Sequence, residues 1–256
     1  MTHNRSRCRI PNVVSVLLMT LVPFFCPSCG GQKEPSSEAP PGASIVCKLF
    51  VANDEPSREA YSALQNLRRE YGHQLHVVCL PTTPPDSALT QEMQRYDVKA
   101  VPCAVLDGYW VVSDPTEEEL RRAVDSCLEK RSPGLSMEML AGPIADRYSV
   151  TFEACNLTSK LDFDGIVEVY ITEHGVPIGP WSCDHVFRGL IHTEQKYHIS
   201  SGKCQTPILV SWPIPAGTDP SKLRALVILY DSSHKLLDSL CSHSECTRAS
   251  VCPGLH

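Results

Sequence analysis

The chain has 256 residues, a hydrophobic fraction of 42% and a formal net charge of −6. That length suggests one large or two ordinary domains, and that fraction is enough for buried cores. A mildly acidic chain with no basic cluster excludes nucleic acid as an expected partner. Cysteine is the outlier, at 13 residues.

The chain opens with Arg5, Arg7 and Arg9 and no acid over residues 1–12, and then with an apolar run from Val13 to Phe25 broken by Ser15, Thr20 and Pro23. The run is shorter than the roughly 20 apolar residues that a membrane-spanning helix needs. A basic start, a short apolar stretch and small residues after it form the layout of a secretory signal peptide, expected over residues 1–28. Residues 29–43 are rich in Gly, Pro and Ser, bury too little to order themselves, and read as a tether. Cys26-Pro27-Ser28-Cys29 has the C-x-x-C spacing of thiol–disulfide enzymes. A catalytic pair, however, sits at a strand-to-helix corner, where the helix N-terminus stabilises the thiolate, not between a cleavable peptide and a tether.

Cys29, between Ser28 and Gly30, resembles the lipidated cysteine of bacterial lipoproteins, although Cys26 stands where that family carries Leu. The resemblance implies a diacylglyceryl-type anchor on Cys29 that holds the mature chain on a membrane surface without spanning it. The expected location is the extracytoplasmic cell envelope, with plain secretion as the alternative. Loss of the signal's arginines makes the mature chain more acidic still. Setting aside Cys8, Cys26 and Cys29 leaves ten cysteines, four before residue 130 and six after residue 150. Export together with many cysteines implies structural disulfides in an oxidising compartment, in two separately stapled domains.

The first domain is expected over residues 44–131. SIVCKLFVAND is an apolar strand that stops at the helix-capping pair Asn53-Asp54. The helix that follows has Pro56 in its first turn, Ala60, Leu64, Leu67 and Tyr71 at helical spacing, and Gly72 at its end. LHVVCLP is a second strand, and SALTQEMQRYDV is a second, shorter helix. VPCAVLDGYWVVS is a hairpin turning at Asp107-Gly108. PTEEELRRAVDSCLEK is a closing helix, acidic at its start and basic at its end.

The order β-α-β-α-β-β-α, with a short helix running into Val101-Pro102 and then a hairpin, resembles the thioredoxin fold. The resemblance implies that Pro102 is the family's cis-proline and that Val101, Pro102 and Cys103 form an edge able to pair with an extended peptide. Where a thioredoxin carries W-C-x-x-C after its first core strand, this chain has Asn53-Asp54-Glu55-Pro56-Ser57-Arg58. Neither Glu55 nor Arg58 can attack a disulfide or resolve a mixed one, so ordinary dithiol exchange is not expected. Two readings of the remaining thiols stay open. Cys103 acts as a reactive thiol, alone or with Cys79 as a displaced pair, or Cys47, Cys79, Cys103 and Cys127 are all structural, bridged or buried as small hydrophobes. Cys79 and Cys103, on strands flanking a central one, would stand roughly 9 to 10 Å apart, too far for a bridge.

Residues 132–143 read as a linker and residues 144–256 as an all-β sandwich domain with a Cys-rich tail. YSVTFEA, GIVEVYITEHG, HVFRGLIHT, KYHISS, TPILVSWPIP and LRALVILYDSS are strand-like runs separated by Gly and Pro turns. The layout resembles bacterial surface lipoproteins that join a thioredoxin-like domain to an immunoglobulin-like sandwich, with VEVYITEHG, HVFRGLI and LRALVILYDSSHKLLDS as the matching segments. The polar tail carrying Cys241, Cys246 and Cys252 needs tying down, which disulfides would do. Neither His243 with this tail nor His185, His192 and His198 has the spacing of a metal site, so no metal and no cofactor is expected. Asn156-Leu157-Thr158 is a glycosylation sequon, meaningful only in a eukaryotic host. No nucleophile elbow, phosphate loop or paired-carboxylate signature is present. The reading is therefore an exported, lipid-anchored, non-catalytic adaptor or binding protein. The alternative is a thiol–disulfide oxidoreductase or isomerase using Cys103.

Overall fold

Seven consecutive buried residues, Ile45–Val51, form the strand β1, which is apolar on both faces except at Lys48. The structure is a computed structural model that describes residues 44–83, 87–130, 134–158, 162–192, 197–231 and 236–242. The expected signal peptide, the tether, Cys29, His243, Cys246 and Cys252 lie outside these residues. After β1 the side chain of Asp54 accepts the Ser57 amide at 2.9 Å and starts helix α1, Glu55–Tyr71. Ala60, Leu64 and Leu67 bury its inner face, and Gly72 ends it at φ +57°. Strand β2, Leu75–Pro81, returns parallel to β1. Helix α2, Ser87–Arg95, leads to a cis Val101–Pro102 peptide and strand β3, Cys103–Leu106, antiparallel to β1. Asp107 and Gly108 both adopt positive φ and the Tyr109 amide closes the turn on the Leu106 carbonyl at 3.2 Å, but Leu106 pairs with Trp110, so the loop into β4, Trp110–Ser113, has three residues and not the expected two. A reciprocal capping box between Thr116 and Glu119 starts helix α3, Glu117–Glu129.

The rest of the described chain is strand. In chain order come β5 (Leu135–Ile144), β6 (Arg147–Asn156), β7 (Phe163–Glu173), β8 (Val176–Ile178), β9 (Trp181–Cys183), β10 (Val186–His192), β11 (Tyr197–Ile199), β12 (Ile208–Pro213), β13 (Leu223–Asp231) and β14 (Leu236–Cys241). The main sheet is mixed and runs β14-β13-β7-β10-β2-β1-β3-β4, with β11 also on β7. It is continuous because β10 joins β2 in parallel at Val186 and Cys79, where the Cys79 amide donates to the His185 carbonyl at 2.9 Å. A second sheet, β12-β6-β5, lies over one face of β7 and β13. Tyr148, Val150, Phe152 and Ala154 from β6 meet Val167, Val169, Ile171, Val227 and Leu229 there.

Two further cores flank the main sheet. One face of β1–β3 packs under α1 and α3, with Leu49, Leu64, Leu67 and Val124 fully buried. The opposite face carries Val46, Phe50 and Val78, and it meets Leu226, Ile228 and Tyr230 of β13 and Leu236 of β14. β14 thus comes back against β1, although β13, β7, β10 and β2 separate them in the sheet. The Ser44 hydroxyl is bonded to Asp238 Oδ1 at 3.0 Å and to Ser239 Oγ at 2.8 Å.

Two expectations are corrected. Residues 135–143, read as part of a linker, belong to β5, because Leu135, Met137, Met139 and Ala141 alternate toward the core and are paired with β6 throughout. Pro143 is tolerated because β5 is an edge strand. Disulfide stapling of every later cysteine is also not what the described residues hold. Cys155 and Cys204 are bridged across the second sheet, while Cys47, Cys79, Cys103, Cys127, Cys183 and Cys241 are buried thiols.

Candidate functional site

The corner after β1 is where a thiol-exchange enzyme of this element order would work. Here Asn53 and Asp54 lead into a helix whose first turn holds Glu55, Pro56 and Ser57. The Asp54 carboxylate takes up the Ser57 amide, and the Ser57 hydroxyl accepts the Ala52 amide at 2.9 Å. The helix N-terminus is therefore capped by the chain's own carboxylate. The hairpin β8–β9 sits against this corner. Gly179 sits at φ +60°, which favours glycine, and a Cβ there would meet the tip of the Asn53 side chain, so the hairpin turn lies directly against Asn53. The Tyr61 ring lies 5.4 Å from the Trp181 ring, and the Tyr61 hydroxyl accepts the Asp184 amide at 2.8 Å.

The residues expected to carry redox chemistry are separated by the sheet. Cys103 pairs with Phe50 and Cys79 with Leu49, on opposite sides of β1. Cys79 belongs to the core under α1 and α3, and Cys103 to the core on the other face. They cannot act as one dithiol. Cys103 is 2% exposed, and burial pushes its thiol above the ordinary cysteine range, away from the thiolate that exchange requires. Val101 is half-buried and Pro102 buried. The antiparallel register places Pro102 level with Val51, at the carboxyl end of β1, and its carbonyl accepts the Asp114 amide at 3.2 Å.

At the same end of the sheet is a cleft of about 590 Å³. Asn53, Pro81 and Thr83 come from the ends of β1 and β2, Leu89 from α2, and Val176–Gly179 from the hairpin. Val186, Phe187 and Arg188 of β10 complete it, with Arg188 paired to Glu173 at 2.7 Å. Crevices outside the carboxyl ends of sheet strands are the usual ligand sites of open α/β sheets, and this one mixes apolar side chains with the polar groups of Asn53, Thr83 and Arg188. Sequence reasoning missed the hairpin that roofs it.

A buried cluster of ionisable groups lies elsewhere, in the core beneath α2. Lys48, 1% exposed, donates to Glu92 Oε2 at 2.8 Å, to the Tyr96 hydroxyl at 2.7 Å and to the Tyr170 hydroxyl. Glu168 Oε2 is 4.0 Å from Lys48 and accepts from Tyr170 at 3.0 Å, while its Oε1 takes Arg95 at 2.8 Å. Arg95 also reaches Glu92. Burial alone would lower the Lys48 ammonium, but the Tyr230 and Tyr96 oxygens and the two carboxylates more than offset it and hold it above the ordinary lysine range. Burial alone would raise Glu92, but Lys48 and Arg95 pull it below the usual carboxylate range. Two cations face two anions, and all three ammonium protons are engaged. A nucleophilic or basic lysine needs a neutral amine, so this arrangement is a clasp between α2 and strands β1 and β7. The one sequence signal was a lysine inside an otherwise apolar strand.

Of the histidines considered as metal ligands, His185 and His198 are not brought together. His185 is buried with its ring 4.4 Å from that of His174, and His198 is exposed beside Asp164 at 2.8 Å. Asn156 of the sequon is 2% exposed and donates its amide to the Ile199 carbonyl at 3.3 Å, so it is not presented for glycosylation. Among the described residues no helix is long and apolar enough to cross a membrane.

No family model and no curated protein matches the chain. Two solved structures align over most of it. HBP35 of Porphyromonas gingivalis has a TM-score of 0.66 at 11% identity, covering 84% of this chain and 79% of its own. Protein AGR_C_4864 from Agrobacterium tumefaciens has a TM-score of 0.51 at 15% identity, covering 79% of this chain and 95% of its own. A domain of the outer membrane lipoprotein Omp28 from Porphyromonas gingivalis aligns over 44% of this chain and 89% of its own at 15% identity, with a TM-score of 0.32 that carries no weight. At these identities the likeness concerns the fold alone, a mixed and mostly β architecture.

Proposed function

We propose that this chain is a non-catalytic adaptor or binding protein of the cell envelope, held on a membrane by a lipid on Cys29. In this reading residues 44–131 are a thioredoxin-like unit without its C-x-x-C, and the later strands form an immunoglobulin-like sandwich built onto it. The observation that carries the proposal is the corner after β1: it holds Asn53 to Arg58 in place of thiols, and β8–β9 is seated against it. The element order, the cis Val101–Pro102 bond and the fold likeness to HBP35 support the reading. The partner is an extended peptide segment, taken by main-chain pairing at Val101, ahead of the cis bond, and by apolar contacts in the cleft at the same end of the sheet, since Cys103 is already paired on both sides.

The rival reading, an oxidoreductase using Cys103, is met by a direct assay. The purified protein, given glutathione and a disulfide substrate such as insulin, should show the same rate as its Cys103→Ala variant and as the uncatalysed reaction. Turnover that disappears in Cys103→Ala would overturn the proposal.

A further inference from the structure

Cys79 and Cys183 are separated by 104 positions in the chain, yet their sulfurs are 3.1 Å apart. Both side chains are fully buried. Cys79 stands near the end of β2, and Cys183 closes β9. The chain just after Cys183 is fixed to Cys79's own backbone, because His185 accepts the Cys79 amide and Val186 is its strand partner. The two sulfurs are thus brought together by main-chain pairing, not by side-chain reach. Cys183 is also the last residue of the hairpin that roofs the cleft, in which Val176 is its cross-strand partner.

We propose that Cys79 and Cys183 form a disulfide that clamps the β8–β9 hairpin to β2, so that the redox state of this pair sets how firmly the roof of the cleft is held. The oxidant is a disulfide donor of the glutathione type or an exchangeable protein disulfide. One cysteine thiolate attacks a donor sulfur, the donor S–S bond breaks, and a donor thiolate leaves. The second cysteine thiolate then attacks the protein sulfur of the mixed disulfide and releases the other half of the donor. The two cysteines lose two electrons and two protons, and the donor ends as two thiols. Burial holds the Cys79 thiol well above its ordinary range, so exchange requires the hairpin to lift, and once closed the bridge is shielded.

The clamp rests on the export reading for its natural oxidant, but the test supplies the oxidant in solution, and failure of export would be seen separately by cell fractionation. The full chain is equilibrated in glutathione buffers from reducing to oxidising, denatured in alkylating reagent, and digested without reduction for mass spectrometry. A Cys79–Cys183 cross-linked peptide should predominate under oxidising conditions and vanish under reducing ones, with Cys47 and Cys103 alkylated throughout. In parallel, protease cleavage within residues 176–183 should be several-fold slower in the oxidised protein, a protection absent from Cys183→Ser. Full alkylation of Cys79 and Cys183 at every glutathione ratio, or their bridging to other cysteines, would overturn the assignment. A bridge that leaves the cleavage rate unchanged would overturn the clamp.

Discussion

Replacing Lys48 by Met keeps the length and most of the volume of the side chain but removes the charge. Glu92 and Glu168 are then left with Arg95 alone, in a core where Lys48 is 1% and Glu168 0% exposed. Removing one partner of a buried ion pair costs about 3–5 kcal/mol, since an uncompensated charge remains out of water. Against a total stability of about 5–15 kcal/mol, that is a large fraction. With a urea m-value of about 1–3 kcal/mol/M, the unfolding midpoint should fall by at least about 1 M. Lys48→Met combined with Glu92→Gln restores the balance of one cation and one anion, so it should be more stable than the sum of the single changes by about 0.5–3 kcal/mol. Urea unfolding of the four proteins, followed by circular dichroism, measures both quantities. A midpoint unchanged in Lys48→Met, or strict additivity in the double variant, would refute the clasp.

Acid should act through the same cluster. Because the folded-state Glu92 carboxyl lies below its unfolded value, its contribution is fully present above about pH 4.3 and is lost as pH falls through the lowered folded value. Glu92→Gln should therefore flatten the acid limb of stability against pH, read as thermal midpoints from pH 7 downward. The Cys155–Cys204 bridge closes a loop with a sequence separation of 49, for which chain entropy gives roughly 4 kcal/mol as a ceiling. Cys155→Ala with Cys204→Ala should lower the unfolding free energy by about 2–4 kcal/mol without changing native circular dichroism. Gly165→Ala would drive a methyl into the Tyr230 carbonyl oxygen of the paired strand, and it should cost about 1–3 kcal/mol in the same unfolding assay.

The first half was legible because its signals are local. Asp54 and Pro56 mark the start of α1, Asp107-Gly108 the hairpin, and Thr116 with Glu119 the start of α3, and each acts within a few residues. The missed strands had their pattern masked by the punctuation that usually means a loop. Gly142-Pro143 sits inside the edge strand β5, and Pro177, Gly179 and Pro180 crowd β8–β9. In β14, Asp238 and Ser239 are buried because Ser44, far away in the chain, supplies their hydrogen bonds, which no periodicity rule anticipates. The site residues show the same division. The missing thiols at Asn53–Arg58 could be read directly, but the partners of Lys48 come from α2 and β7, and Cys79 meets Cys183 rather than Cys103. Those pairings exist only once the sheet has joined the two halves of the chain.

The central claim is an anchored protein without thiol catalysis, and one measurement tests it most directly: the intact mass of the protein extracted from membranes, after alkylation of the native state. The account predicts a mature chain beginning at Cys29 with added acyl mass and with Cys103 unlabelled. A chain without acyl mass, or one in which native Cys103 takes up the reagent, would contradict it.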